Sequence, residues 1–229
     1  MEYGLIGAKL GHSYSKIIHE AVCGYSYELH PLPTEEEAHA FMQAKAFKAI
    51  NVTIPYKKLV IPYCDEVEPR AAAIGAVNTV VNRDGKLYGY NTDYTGFAYL
   101  ARCHGVKFAG AVVLVLGTGG ASQAVQYALA EAGIPYAVVS RDPARGNFLY
   151  DDLRPEVVAG LRLIVNATPV GTFPHVDEAP LLPYEALTAA HYLFDLVYNP
   201  ERTQFLLRGE RQGARTLNGL PMLEAQAEA

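Results

Sequence analysis

Cysteine is scarce and unpatterned here: Cys23, Cys64 and Cys103 are odd in number and form no C-x-x-C pair, which excludes a disulfide framework and a cysteine-built zinc site. A reducing, cytoplasmic compartment is expected. Long apolar runs are also missing. The longest, residues 111–116, falls far short of the ~20 residues that a helix needs to cross a bilayer. The opening Met-Glu-Tyr-Gly-Leu-Ile-Gly has no basic segment followed by a long apolar one, so no secretory leader and no membrane association are expected. With a net charge of −5 and no basic run, little is available to grip a phosphate backbone, and nucleic acid is not an expected partner. None of the seven histidines shows a ligand spacing such as H-E-x-x-H, so no metal is expected.

What the 229 residues do contain is a 50% hydrophobic composition, enough to fill the core of one large or two small domains. Short apolar runs alternate with helix-like segments in the rhythm of βαβ units. Strands are expected at 3–6, 49–53, 79–81, 87–90, 112–116, 136–140, 163–165 and 193–196. A helix at 95–104, closed by Gly105, reads as a bridge to a second α/β unit that begins with the strand at 112. The last segment, 218–229, opens with Asn-Gly-Leu-Pro and continues as a helical run at 222–227.

The run N-V-T-I-P-Y-K at 51–57 places Asn51 and Thr53 on one face of a strand, where both can meet one ligand. Pro55 suits the first position of a helix and would carry Lys57 into its first turn. The positive helix end disfavours an ammonium there, which makes Lys57 a candidate for proton exchange near neutrality. A solvated lysine on an amphipathic helix is the plainer reading. Asp93, in Asn91-Thr92-Asp93, is a natural N-cap for the bridging helix, yet one carboxylate oxygen stays free to hold Lys57. His12-Ser13-Tyr14-Ser15 offers two hydroxyls at i and i+2, able to hold a carboxylate or simply to start a helix. After the strand at 112–116 comes Gly117-Thr118-Gly119-Gly120-Ala121-Ser122, followed by helical spacing, which is the strand-turn-helix setting in which a dinucleotide pyrophosphate binds. Arg141 and Arg145, after the next strand, suit a 2′-phosphate. Asp142 between them either accepts a bond from a free ribose hydroxyl or serves the turn with Pro143.

Eight ordered motifs, G-L-I-G with G-H-S-Y-S, N-V-T-I-P-Y-K-K, I-G-A-V-N-T-V, G-Y-N-T-D-Y-T-G-F, L-G-T-G-G-A-S, N-A-T-P-V-G, D-L-V-Y-N-P and G-L-P-M-L-E-A-Q-A, run nearly end to end. Together they resemble the shikimate dehydrogenase family, NADPH-dependent reductases of 3-dehydroshikimate in aromatic amino-acid biosynthesis. The resemblance implies an N-terminal substrate-binding and catalytic α/β domain at 1–97, a Rossmann-like NADP-binding domain at 98–217, a cleft between them, and a C-terminal helix at 218–229 packed back on the first domain. It implies Lys57 and Asp93 as the catalytic pair. Ser13 and Ser15 would hold the substrate carboxylate, with Asn51, Thr53, Asn78 and Gln226 on ring hydroxyls and Tyr198 nearby. Gly117, Gly119, Gly120, Ala121, Arg141, Arg145, Asn166, Thr168 and Met222 would line the cofactor. The expected partner is the small molecule alone, bound by a monomer or homodimer.

Three departures bear on these expectations. Ser140-Arg141-Asp142 stands where the family usually has Asn-Arg-Thr, which keeps NAD open beside NADP. Only a short stretch separates Ser140 from Tyr150, where relatives carry a full helix, so the adenosine side of the pocket should be thin. Little chain follows Gln226, which shortens the final helix. The alternatives are a quinate or mixed quinate/shikimate dehydrogenase using NAD, a non-catalytic sensor that keeps only the ligand site, and a methylene-tetrahydrofolate dehydrogenase type.

Overall fold

The computed structural model describes residues 1–11, 13–103 and 112–229. His12, and the expected close of the bridging helix at His104 and Gly105, lie outside the described residues. The chain divides into two compact units, Met1–Gly96 with Glu224–Ala229, and Phe97–Leu223.

In the first unit, β1 (Tyr3–Gly7), β2 (Glu28–Pro31), β3 (Ala49–Val52), β4 (Glu66–Val67), β5 (Thr79–Arg83) and β6 (Lys86–Tyr90) form one mixed sheet in the order β2-β1-β3-β5-β6-β4. Helices α1 (Ser15–Cys23), α2 (Glu35–Ala44) and α3 (Pro69–Ile74) join them. The period of two governs which side chains are spent on the core. Ile50 and Val52 of β3 pack with Ile6, Met42, Val80 and Leu87, so Asn51 between them faces the other way. A capping box starts α2: Glu37 N–H donates to Thr34 Oγ1 at 3.2 Å and Thr34 N–H to Glu37 Oε2 at 3.1 Å, and Ala38 and Met42 then fall on the buried face. Helix α4 (Asp93–Cys103) leads out of this unit.

The second unit contains β7 (Val113–Leu116), α5 (Gly120–Glu131), β8 (Tyr136–Ser140), β9 (Phe148–Leu149), α6 (Pro155–Ala159), β10 (Leu163–Asn166), β11 (Tyr192–Asp195), α7 (Gln204–Arg211), β12 (Arg215–Leu217) and the start of α8 (Leu220–Glu228), which passes into the first unit at Glu224. All its strands are parallel, in the order β12-β11-β10-β7-β8-β9. Counted within the unit this is 3-2-1-4-5-6 read from the other edge, the doubly wound Rossmann arrangement, with its switch point between β7 and β10. Both faces of such a sheet are covered, and β7 shows the consequence: all four residues are buried, with Leu114 and Leu116 in one core and Val113 and Val115 in the other.

Two local expectations do not hold. No helix starts at Pro55. Residues 54–60 form a series of turns after a cis Ile54–Pro55 bond, because the Lys57 carbonyl accepts from Val77 N–H at 2.8 Å instead of from a residue one helical turn on. Tyr56, 1% exposed, plugs these turns into the core and donates its hydroxyl to the carbonyls of Leu32 and Thr34 at 2.6 and 2.9 Å. The helix-end argument for Lys57 therefore lapses. Helix α4 begins at Asp93 itself, and Asn91 Oδ1, not the Asp93 carboxylate, accepts from a first-turn N–H, that of Tyr94, at 3.3 Å.

Candidate functional site

Freed from capping, the Asp93 carboxylate faces Lys57. Lys57 Nζ donates to Asp93 Oδ2 at 2.5 Å, and the two side chains are only 14% and 11% exposed. The other carboxylate oxygen, Oδ1, accepts from Asn78 Nδ2 at 3.0 Å. Both oxygens thus serve donors, an arrangement that suits a carboxylate holding an amine in one place. A pair this enclosed is poor evidence of stabilisation, since desolvating two charges offsets most of their attraction.

Around this pair the first unit builds a continuous polar network. Asn78 Nδ2 also donates to Thr92 Oγ1 at 3.1 Å and approaches Gln226 Oε1 at 3.4 Å, while Thr92 Oγ1 donates to Gln226 Oε1 at 3.1 Å. Thr79 Oγ1 reaches Asn78 Oδ1 at 3.2 Å and receives Asn51 Nδ2 at 3.1 Å, and Asn51 Oδ1 accepts from the Tyr27 hydroxyl at 2.6 Å. Of the residues expected on ring hydroxyls, Asn51, Asn78 and Gln226 are therefore joined to one another and to the Lys57–Asp93 pair. Thr53 follows β3 on the Asn51 side and is half-buried. Thr79, Thr92 and Tyr27 are network members that sequence reasoning passed over. The threonines stood next to singled-out asparagine and aspartate, whereas Tyr27 belongs to no motif.

A cavity of about 480 Å³ opens beside this network, lined in part by Tyr27, Asn51, Thr79, Thr92 and Gln226. That size lies within the usual range for small-ligand sites. Lys57 and Asp93 do not line it, and are joined to it through Asn78 and Thr92. Ser13 and Ser15 form a separate hydroxyl pair: their Oγ atoms lie 3.1 Å apart, and Ser15 N–H, at the first position of α1, donates to Ser13 Oγ at 3.2 Å. Ser13 thus serves the helix start and pairs with its neighbour at once.

In the second unit the glycine turn joins β7 to α5. Gly117 has φ +100°, and a Cβ there would press on Thr168 and the Ala167 carbonyl, so only glycine fits. Ser122, fully buried, donates to the Gly117 carbonyl at 2.6 Å and braces the turn. The first N–H groups of α5 carry no side-chain cap, which leaves them able to receive an anion. Arg141 and Arg145 are exposed after β8, and Arg145 Nη2 donates to the Thr118 carbonyl of the glycine turn at 3.1 Å. Asp142 Oδ1 accepts from Ala144 N–H at 2.9 Å, so its carboxylate is engaged in the turn. No helix connects β8 to β9. Gly146 lets the chain pass directly against Ser140 and the Val138 carbonyl, and Asn147 pairs with Val138 through both its backbone and its side chain.

The remaining cofactor candidates divide by burial. Asn166 is fully enclosed. Its amide donates to Asp195 Oδ1 at 2.9 Å and its Oδ1 accepts from the Thr168 hydroxyl at 2.6 Å, so it shapes the loop carrying Thr168 and offers no surface to a ligand. Met222, 7% exposed, packs with Phe97, Val113 and Phe194 in the core. Tyr198 follows β11 in the turn whose Val197 N–H donates to Asp195 Oδ1 at 3.1 Å.

Asp195 was not singled out in the sequence, yet it organises this end of the sheet, accepting also from Thr203 Oγ1 at 2.5 Å. Burial pushes its carboxyl up to about 6, against the pull of the bonds from Thr203, Val197 and Asn166. The sign follows. Between the ordinary carboxyl value and about 6 the folded state holds a proton that the unfolded chain has lost, so this group lowers stability as pH rises through that window and is flat above it. Urea melts of the natural chain and Asp195→Asn should show the natural chain losing stability relative to the variant by roughly 1–3 kcal/mol between about pH 4 and pH 6. A pH-independent difference contradicts the assignment.

A family model described as the shikimate dehydrogenase substrate binding domain matches residues 5–80. A shikimate dehydrogenase (NADP(+)) from Carboxydothermus hydrogenoformans is 38% identical over 241 residues, covering 96% of this chain and 86% of the relative. The crystal structure of shikimate 5-dehydrogenase from Thermus thermophilus in complex with NADP(H) and shikimate matches with a TM-score of 0.86 at 34% identity, over 99% of this chain and 90% of that one. Quinate dehydrogenase from Corynebacterium glutamicum in complex with NAD matches with a TM-score of 0.84 at 29% identity, over 99% and 90%.

Proposed function

The chain belongs to the shikimate dehydrogenase family, and from that premise we propose that it catalyses the reversible NADPH-dependent reduction of 3-dehydroshikimate to shikimate, with Lys57 and Asp93 as its acid-base pair. The observation that carries the reading is the enclosed Lys57–Asp93 contact at 2.5 Å, tied through Asn78 to Gln226 and, by way of Thr79, to Asn51. The first unit is the substrate domain and the second the NADP domain.

The residues of the second unit fit the dinucleotide. Gly117, Gly119, Gly120 and Ala121 would hold the pyrophosphate with backbone N–H groups at the start of α5, and Thr168 borders the same turn, since its methyl meets the space above Gly117. Arg141 and Arg145 would take the 2′-phosphate, and the engagement of Asp142 in its own turn favours NADP over NAD. Bound there, the reduced nicotinamide supplies a hydride to the substrate's carbonyl carbon.

The protein's part is binding and proton transfer. Ser13 and Ser15 hold the substrate carboxylate, while Asn51, Thr53, Asn78 and Gln226 hold ring hydroxyls, with Tyr198 nearby. Lys57 donates a proton to the carbonyl oxygen as negative charge grows on it, leaving a neutral amine beside Asp93. In the oxidative direction the amine takes the hydroxyl proton back. Asp93 fixes the position of Nζ, and Asn78 fixes Asp93.

No described helix is long and apolar enough to cross a membrane. An exposed free thiol at Cys23 agrees with a cytoplasmic protein. The test is an assay of purified protein with shikimate or quinate and NADP or NAD in all four combinations, followed by nicotinamide absorbance. Turnover is expected to be fastest with shikimate and NADP. Preference for quinate and NAD would move the chain to the quinate branch, and no turnover in any combination would refute the enzymatic reading.

A further inference from the structure

The polar network of the first unit has a direction, and one backbone group sets it. Thr92 N–H can only donate, and it donates to Asn78 Oδ1 at 2.8 Å, while Asn78 Nδ2 faces the Asp93 carboxylate at 3.0 Å. The Asn78 amide is thereby pinned at both ends. Thr79 Oγ1 must then donate to Asn78 Oδ1, which leaves its lone pairs for Asn51 Nδ2. That fixes the Asn51 amide in turn, so that its Oδ1 receives the Tyr27 hydroxyl at 2.6 Å. At the other end the Thr92 hydroxyl donates to Gln226 Oε1. With their oxygens engaged in the network, Asn51 and Gln226 keep amide N–H groups to offer a ligand in the cavity they line.

We propose that Tyr27 is a positioning residue: by capping Asn51 Oδ1 it commits the Asn51 amide to donate to an accepting oxygen of the ligand. This deepens the reading of the site as one for a polyhydroxylated ring acid, and rests on that reading. Tyr27 is built to do this. It is 1% exposed, and the His19 ring lies flat against it, with centroids 4.3 Å apart and planes 2° apart, so the phenol cannot swing. Burial also raises its hydroxyl above the ordinary range, which keeps it a neutral donor at working pH. Without that hydroxyl Thr79 alone holds the Asn51 amide in this orientation, by one hydrogen bond at 3.1 Å.

The experiment is a double-mutant cycle on the full chain with shikimate and NADP. Tyr27→Phe keeps the ring and should lower kcat/KM about 5- to 10-fold, nearly all in KM, with kcat within about twofold. In an Asn51→Ala background the same change should cost less than about twofold, because its effect runs through Asn51. Thr79→Val, on the other side of the amide, should show the same non-additivity. Equal losses in both backgrounds, or a loss confined to kcat, would overturn the proposal. A second readout needs no turnover: the side-chain amide NMR signals assigned to Asn51 by their absence in Asn51→Ala should shift and broaden in Tyr27→Phe, and unchanged signals refute the positioning role. If the natural chain fails to turn over shikimate, the reading of its activity fails while the NMR comparison still decides the part played by Tyr27.

Discussion

Lys57→Ala should lower kcat for shikimate oxidation by roughly 10²- to 10⁴-fold, the span that a positioned general acid-base group supplies. Shikimate affinity, measured by equilibrium titration, should change by less than about tenfold, because the ring and carboxylate contacts assigned to other residues remain. Asp93→Asn should fall between the natural chain and Lys57→Ala, since it keeps a hydrogen-bond acceptor for Nζ but removes the charge that holds it. The pair is largely enclosed, so deleting either partner leaves a poorly solvated charge, and melting curves must accompany the kinetics. A fall in kcat matched by an equal fall in affinity would mean that Lys57 only binds, and the acid-base assignment would be lost.

Replacing Arg141 and Arg145 together by alanine should cut kcat/KM for NADPH by about 10²-fold or more while leaving NADH within severalfold. Each charge-assisted contact to a 2′-phosphate is worth roughly 1.5–3 kcal/mol. Because Arg145 also donates to the Thr118 carbonyl, it supports the glycine turn for both cofactors. Arg141→Ala alone should therefore give the cleaner change in preference. Equal losses with NADPH and NADH would show that neither arginine reads the 2′-phosphate.

Where strands lie inside a sheet, their apolar runs made them legible. β1, β3, β5, β6, β7, β8, β10 and β11 were all expected within a few residues of their actual bounds. The four that were missed, β2, β4, β9 and β12, are the four sheet edges. An edge strand pairs on one side only, so Glu28, His30 and Pro31 in β2, or Arg215 in β12, cost it little, and no apolar pattern betrays it. The helix expected at Pro55 failed for a different reason. Tyr56 and Val60 stand at helical spacing and are both buried, but Val77 N–H takes the Lys57 carbonyl, so tertiary pairing outweighs local pattern.

The site was legible as residue types and opaque as contacts. Lys57 and Asp93 lie 36 residues apart, and nothing in either stretch says that they touch. Residue chemistry offered Asp93 as a partner for Lys57, and the resemblance implied that the two act as a pair. Asp93 looked like a cap because Asn and Asp at a helix start usually are one, and here Asn91 performs that task and releases the aspartate. Tyr27 and Asp195 escaped notice because each acts through a neighbour, Tyr27 on Asn51 and Asp195 on Asn166, and a positioning role leaves no spacing to read.

The central claim is that the Lys57 amine and the Asp93 carboxylate act on the oxygen that changes oxidation state. A crystal structure of the protein with shikimate and NADP tests it directly. The account predicts Lys57 Nζ within hydrogen-bond reach, about 2.6–3.2 Å, of the hydroxyl on the carbon that faces the nicotinamide. If that oxygen instead lies well beyond such reach of both groups, with no water between them, the proposed proton transfer is wrong.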